Sequence, residues 1–221
     1  MTTDRDRAAR HTGTRSVYPA AIGVLALLIA ELAAISFAHS TLQAETGPGI
    51  SKAAAGECAR KVKALETFSA RTGNRGTQTT RISEAELNSF LAYELSPKYH
   101  ASLKSLTVRL EPGRLQAVAT VDFDQLGMSS KKSVTRLLAS LLAGKHTLTA
   151  YGKLIADGGR ANFQLERAMF DDISLPNLLV EEIISTVGKR QKPPFDPMQP
   201  SQMPYGIQKV ETGQGYITVY Q

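Results

Sequence analysis

Leu106-Thr107-Val108-Arg109-Leu110-Glu111-Pro112-Gly113-Arg114-Leu115-Gln116-Ala117-Val118-Ala119-Thr120-Val121-Asp122-Phe123 is the stretch that decides the fold. Leu106, Val108 and Leu110 alternate with polar residues up to a Pro-Gly tight turn, beyond which Leu115, Ala117, Ala119, Val121 and Phe123 alternate again. A period of two on both sides of a turn is a β-hairpin. If Glu111 pairs with Arg114, Leu110 opposes Leu115, Val108 opposes Ala117 and Leu106 opposes Ala119, so both strands turn their apolar side to one face.

The same rhythm extends downstream. Residues 131–143 read as a helix with Val134, Leu137, Leu138, Leu141 and Leu142 on one side and Gly144 as its stop. A second hairpin closes at Asp157-Gly158-Gly159-Arg160 and places Leu148, Ala150, Gly152, Leu154 and Ala156 on one face with Ala161, Phe163 and Leu165. A helix over 176–187 follows, with Pro176 in its first turn and Gly188 behind it. After a Pro-rich loop over 193–204, strands over 207–211 and 216–220 bracket Thr212 to Gly215.

Upstream, Ser83 as N-cap and Glu86 three residues later form a capping box, with Ile82 and Leu87 placed as a hydrophobic staple, so a helix over 84–95 is expected. Ser96-Pro97 ends it, because the residue before proline avoids helical geometry. Residues 51–70 read as another helix through Ala54, Cys58, Val62, Leu65 and Phe68, and 73–80 as a polar loop. The expected fold class is therefore α+β: an N-terminal transmembrane helix, then helices packed on a curved antiparallel sheet built from repeated helix plus β-hairpin units.

The transmembrane expectation rests on the apolar run Val17 to Phe37, which at about 1.5 Å per residue reaches roughly 31 Å, the thickness of a hydrocarbon core. The head before it carries Arg5, Arg7, Arg10 and Arg15 against Asp4 and Asp6, which keeps the N-terminus cytoplasmic and sends the rest outward. The divisions are a basic head over 1–16, an anchor over 17–37, a linker over 38–50 and an extracytoplasmic domain over 51–221. Glu31 within the run keeps a second reading open, because a carboxylate at the centre of a span costs about 2.5–3.5 kcal/mol. In that reading Ser36-Phe37-Ala38 is a small-x-small site and a signal peptide is cleaved after Ala38, leaving a secreted protein. Otherwise the chain is a single-pass protein of the inner membrane with its domain in the periplasm.

Composition narrows the chemistry. The net charge is +6 and the pI near 9.5, but two of those charges belong to the head, four Arg less two Asp. The domain is only mildly basic, and with no Trp and no aromatics interleaved among cations it lacks a base-stacking surface, so no nucleic-acid partner is expected. Cys58 is a lone cysteine on an apolar helical stripe, the place of a buried small hydrophobe. No nucleophile elbow or dinucleotide-binding glycine pattern is present, and His11, His39, His100 and His146 have no metal-ligand spacing. Gly144-Lys145-His146-Thr147 lacks the Ser or Thr that a phosphate loop needs after its lysine. The carboxylate pairs Asp122/Asp124, Asp171/Asp172 and Glu181/Glu182 read as a solvated strand end, a turn and an exposed helix side. No catalytic residue, cofactor or metal is expected.

The apolar face of the hairpins mixes large residues with small ones: Leu106, Val108, Leu110, Ala117, Ala119, Val121, Leu148, Ala150, Gly152, Leu154, Phe163 and Leu165. Small residues on a covered sheet face leave space, which either a closely approaching helix fills or an elongated apolar cavity occupies. Ile82-Ser83-Glu84-Ala85-Glu86-Leu87-Asn88-Ser89-Phe90-Leu91, then a hairpin, then Leu175-Pro176-Asn177-Leu178-Leu179, and finally Pro204-Tyr205-Gly206-Ile207 with Val210 and Gly215-Tyr216-Ile217-Thr218-Val219 resemble bacterial members of the tubular lipid-binding (TULIP, SMP-like) superfamily over about residues 82–221. The resemblance implies a long helix laid against a strongly curved antiparallel sheet, with an apolar groove for acyl chains and no catalytic residue.

The function expected is a membrane-anchored lipid-binding or lipid-transfer module without catalytic activity. The twelve hairpin-face residues would line the groove, and Lys189, Arg190 and Lys192 would hold an anionic headgroup or membrane at its rim. The alternative is a bitopic scaffold subunit of a secretion- or pilus-like envelope assembly with a ferredoxin-like domain. In that case residues 51–70 would meet a second copy or an envelope protein through Cys58, Val62 and Leu65.

Overall fold

The two central hairpins form as their turn chemistry requires. The computed structural model describes residues 49–71, 76–126 and 143–221. Strand β2 (Leu103–Glu111) pairs with β3 (Arg114–Asp122) in the register set by Glu111 opposite Arg114, so Leu110 faces Leu115, Val108 faces Ala117 and Leu106 faces Ala119. Gly113 adopts φ +69 in the turn, a conformation that side-chain-bearing residues avoid. The second hairpin joins β4 (Lys145–Asp157) to β5 (Arg160–Phe170) through Gly158 and Gly159, both at positive φ. Because β3 also pairs with β4, the four strands form one continuous antiparallel surface. The short strands β6 (Ile173–Ser174) and β7 (Ser201–Gln202) both pair with β5 and complete a six-stranded sheet.

Helix α1 (Lys52–Ser69) is capped by the Ser51 hydroxyl and buries Ala55, Cys58, Val62 and Leu65. Strand β1 (Thr79–Ser83) leads into α2 (Glu84–Phe90), whose capping box is complete: the Ser83 hydroxyl accepts from the Glu86 N–H and the Glu86 carboxylate accepts from the Ser83 N–H. The helix runs on as a π-helical turn (Leu91–Leu95) and a 3-10 turn (Ser96–Lys98), where Pro97 ends it. A short α3 (Phe123–Leu126) follows β3, and α4 (Asn177–Arg190) lies on β5. Strands β8 (Lys209–Gly213) and β9 (Tyr216–Tyr220) end the chain. One apolar cluster joins the helices to both sheets, from Cys58 on α1 through Phe90, Leu110, Phe163 and Ile183 to Val219 on β9.

Several expectations are corrected. Thr79 and Thr80 lie in β1 rather than in a polar loop, because β1 pairs with β9 and brings Ile82 opposite Ile217. The third hairpin therefore does not extend the main sheet; β8 and β9 form a second sheet in the order β1-β9-β8. That sheet abuts the turns of the first through the Gly113 N–H on the Thr212 carbonyl and the Gly159 N–H on the Gln208 carbonyl. Phe123 leaves the β3 alternation to start α3. Gly188 does not stop α4. It is buried inside the helix, where a Cβ would meet the Phe195 carbonyl at 2.6 Å and Pro197 Cδ at 2.8 Å, so the glycine admits the Pro-rich loop.

Among the described residues no helix is long and apolar enough to cross a membrane. The run over 17–37, with the head and most of the linker, lies outside the described residues, as does the helix expected over 131–143 apart from its last position.

Candidate functional site

The inner face of the main sheet is laid out in rows by the registers. Leu110, Leu115, Gly152 and Leu165 form one row, Val108, Ala117, Ala150 and Ala168 the next, and Leu106, Ala119, Leu148 and Phe170 a third. The middle row carries three alanines side by side on β3, β4 and β5. A row this shallow lets a helix or a ligand approach the backbone closely.

Two helical blocks cover the face from opposite sides. Helix α2 and its π-helical extension pack on β2, while α4 packs on β5 and buries Val180 and Ile183. Where they reach, the face is closed. Of the twelve residues expected to line a groove, eight are buried against protein: Val108, Leu110, Val121, Leu148, Ala150, Gly152, Phe163 and Leu165. Gly152 shows how tightly, since a Cβ there would lie 2.7 Å from the Phe163 ring and would overlap the Gln164 carbonyl. That small residue is filled by its neighbour.

The other four, Leu106, Ala117, Ala119 and Leu154, are half-buried. Leu106 and Ala119 are direct cross-strand partners, and Ala117 is two residues from Ala119 on the same side of β3. They make a continuous apolar strip along β2 and β3. On α4 the half-buried Leu179, Ile184 and Val187 sit beside its buried positions. Gln191, 6% exposed, ties the end of α4 to the start of β2: its Oε1 accepts the His100 N–H at 3.0 Å and its Nε2 donates to the Val187 carbonyl at 2.9 Å.

The basic rim is reduced. Lys189 is paired with Asp196 at 3.0 Å, and Asp196 also accepts from the Ser185 hydroxyl and the Met198 N–H. Burial alone would raise the Asp196 carboxyl, but the Ser185 hydroxyl and the Lys189 ammonium hold it below its usual range. Arg190 and Lys192 remain exposed beyond it, with no carboxylate in ion-pair range among the described residues. Helix α1 turns Cys58, Val62 and Leu65 into its own domain, against α2, with Cys58 and Val62 each 1% exposed. Those three side chains therefore pack within their own chain and are not exposed for a seam to a second copy. Burial also pushes the Cys58 thiol up to about 12, which removes thiolate reactivity near neutral pH.

One cluster stands outside every sequence expectation. His146, at the start of β4, meets Asp171 of the β5–β6 turn at 2.5 Å and stacks on Phe170 with ring centroids 4.6 Å apart. A uniform register counted back from Asp157 opposite Arg160 puts Phe170 opposite Thr147. The bulge between Tyr151 and Gly152 shifts the pairing by one and brings Asp171 there instead. Asp122 is also less solvated than its strand-end position suggests; it is 9% exposed and paired with Lys104 at 3.3 Å. Among the described residues no group of three or more His, Cys, Asp or Glu side chains is placed to hold a metal ion.

Comparison of the chain with protein-family models and with curated proteins gives no match.

Proposed function

We propose that the protein is a membrane-anchored extracytoplasmic module that binds a lipid acyl chain and catalyses no reaction. The observation that supports this reading is the half-buried strip Leu106, Ala117 and Ala119, on a face whose other expected lining residues, Leu154 apart, are buried. An acyl chain laid along such a strip exchanges water for apolar contact, worth about 0.8 kcal/mol per buried methylene. The alanines keep the floor low enough for a chain to lie on. Arg190 at the end of α4 and Lys192 just beyond it offer the charge that suits a phosphate headgroup or an anionic leaflet. In this reading the run over 17–37 is retained and holds the domain beside the bilayer from which the chain is taken.

The scaffold reading would need a surface other than Cys58, Val62 and Leu65, which are buried within the domain. Lipid extraction and mass spectrometry of the full chain, purified in a detergent that no lipid resembles, tests the proposal. Stoichiometric phospholipid or fatty acid in wild type, depleted in Ala119→Trp at unchanged melting temperature, is the expected outcome. Lipid-free protein, or an Ala119→Trp variant that retains lipid and loses stability, overturns it.

A further inference from the structure

His146 occupies a position that only its doubly protonated form satisfies. Nδ1 lies 2.5 Å from the Asp171 carboxylate and Nε2 lies 2.7 Å from the Ala143 carbonyl. Both partners only accept hydrogen bonds, so each ring nitrogen must carry a hydrogen, which makes the ring a cation. Phe170 stacked on one side and the edge of Phe123 at 5.7 Å hold the ring plane, so it does not escape by rotating.

The two ends of this bridge are unequal. Asp171 is fixed independently: its other carboxylate oxygen accepts the Thr147 N–H at 2.8 Å and its own N–H donates to the Thr147 carbonyl at 2.9 Å. Its backbone and that of Asp172 turn through φ 44 and 67, a left-handed conformation that aspartate tolerates better than most residues. The Ala143 carbonyl meets the sheet through His146, while the next residue, Gly144 at φ 88, is tied to α3 by its N–H on the Asp124 carboxylate at 3.2 Å and by its carbonyl on the Phe123 N–H at 2.8 Å.

We propose that His146 is a protonation-operated clamp on the Ala143 carbonyl, closed while both ring nitrogens carry hydrogen and open when one proton is lost to solvent. The remaining proton stays on Nδ1, facing the carboxylate, where the hydrogen bond is charge-assisted. The Nε2 lone pair then faces the lone pairs of the Ala143 oxygen, and that contact becomes repulsive. The Ala143 carbonyl then turns from the ring, while Asp171 and the Gly144 contacts to α3 remain in place.

The charges around the ring favour the closed form. Asp124 of α3 adds a second carboxylate, its Oδ1 accepting the Gly144 N–H at 3.2 Å. Asp172 shares the turn with Asp171, Lys145 precedes His146 on β4, and Asp122 of β3 is matched by Lys104. Burial alone would lower the imidazole, but the Asp171 and Ala143 hydrogen bonds raise it above its ordinary value of 6.5. The His146 hydrogen bond likewise lowers Asp171 below 3.8. A raised histidine stabilises fully below 6.5 and loses its effect as pH rises through the raised value; a lowered aspartate loses its effect as pH falls through the lowered one. The clamp is closed between these limits and opens on the alkaline side.

The clamp rests on its own geometry and not on lipid binding. Its test is an NMR titration of the full chain that follows the His146 ring nitrogens and the Ala143 carbonyl carbon together. The expected result is a ring that keeps both protons above pH 6.5, an Ala143 shift with the same midpoint, and a lower midpoint in Asp171→Asn. A ring that titrates at or below 6.5, or an Ala143 carbonyl indifferent to that titration, overturns the proposal.

Discussion

The side-chain amide of Asn88 stands in for a neighbouring strand at Val108: its Nδ2 donates to the Val108 carbonyl and its Oδ1 accepts the Val108 N–H, both at 2.7 Å. One residue pair further along, the Glu84 carboxylate accepts the Leu110 N–H at 2.6 Å and the Gly215 N–H donates to the Leu110 carbonyl at 3.0 Å. The open edge of β2 is thus closed by side chains of α2 and a turn of the second sheet, which protects it from pairing with another chain. Asn88→Ala leaves two part-buried backbone groups without partners, and each such group costs about 1–3 kcal/mol. Urea denaturation should show a loss in that range. Asn88→Asp keeps the acceptor for the Val108 N–H but sets a carboxylate oxygen against the Val108 carbonyl, so it should not restore wild-type stability.

Gly188→Ala offers a prediction of sign. In an exposed helix interior, replacing glycine by alanine stabilises by about 1 kcal/mol. Here the new methyl would meet the Phe195 carbonyl at 2.6 Å, and the Phe195 N–H bonds back to the Gly188 carbonyl at 3.2 Å. The substitution should destabilise, by calorimetry, and a neutral or stabilising result would show that the Pro-rich loop yields at no cost.

These two cases mark what was legible. The hairpin registers were, because a Pro-Gly or Gly-Gly turn and a period of two are local signals that agree. Gly188 was not, because its reason lies in residues 195–197 returning over the helix. Strand β1 was missed because it buries only Ile82 and its partner is the final strand of the chain. For the candidate site, the small-residue face was evident from alternation alone. Which of those residues are covered depends on where α2 and α4 land, and periodicity carries no information about that. His146 and Asp171 were hidden by a single bulge.

Glu86 makes stability fall in acid. Burial alone would raise its carboxyl, but the Lys61 ammonium at 2.7 Å and the Ser83 hydroxyl and N–H lower it below its ordinary 4.5. A lowered carboxylate contributes fully above its unfolded value and loses that contribution as pH falls through the folded one. Wild type should therefore lose stability below about pH 4.5 more steeply than Glu86→Gln in paired thermal melts. Parallel curves would remove Glu86 from the account.

Cys58 should be inert in the folded protein. With 1% of its surface exposed and its thiol pushed up to about 12, it should react with a maleimide at pH 7.5 only in denaturant, and oxidants should give no disulfide-linked dimer. Rapid labelling without denaturant would mean that α1 leaves the domain.

The most direct test of the lipid-binding account uses the absence of tryptophan from the chain. Leu106→Trp puts a sole reporter on the half-buried strip, and Thr107→Trp puts one on the opposite, exposed side of the same strand. Both full-length variants are reconstituted in vesicles whose phospholipids carry bromine along the acyl chain. The account predicts strong quenching at position 106 and little at 107. Equal quenching at the two positions, or none at 106, would contradict it.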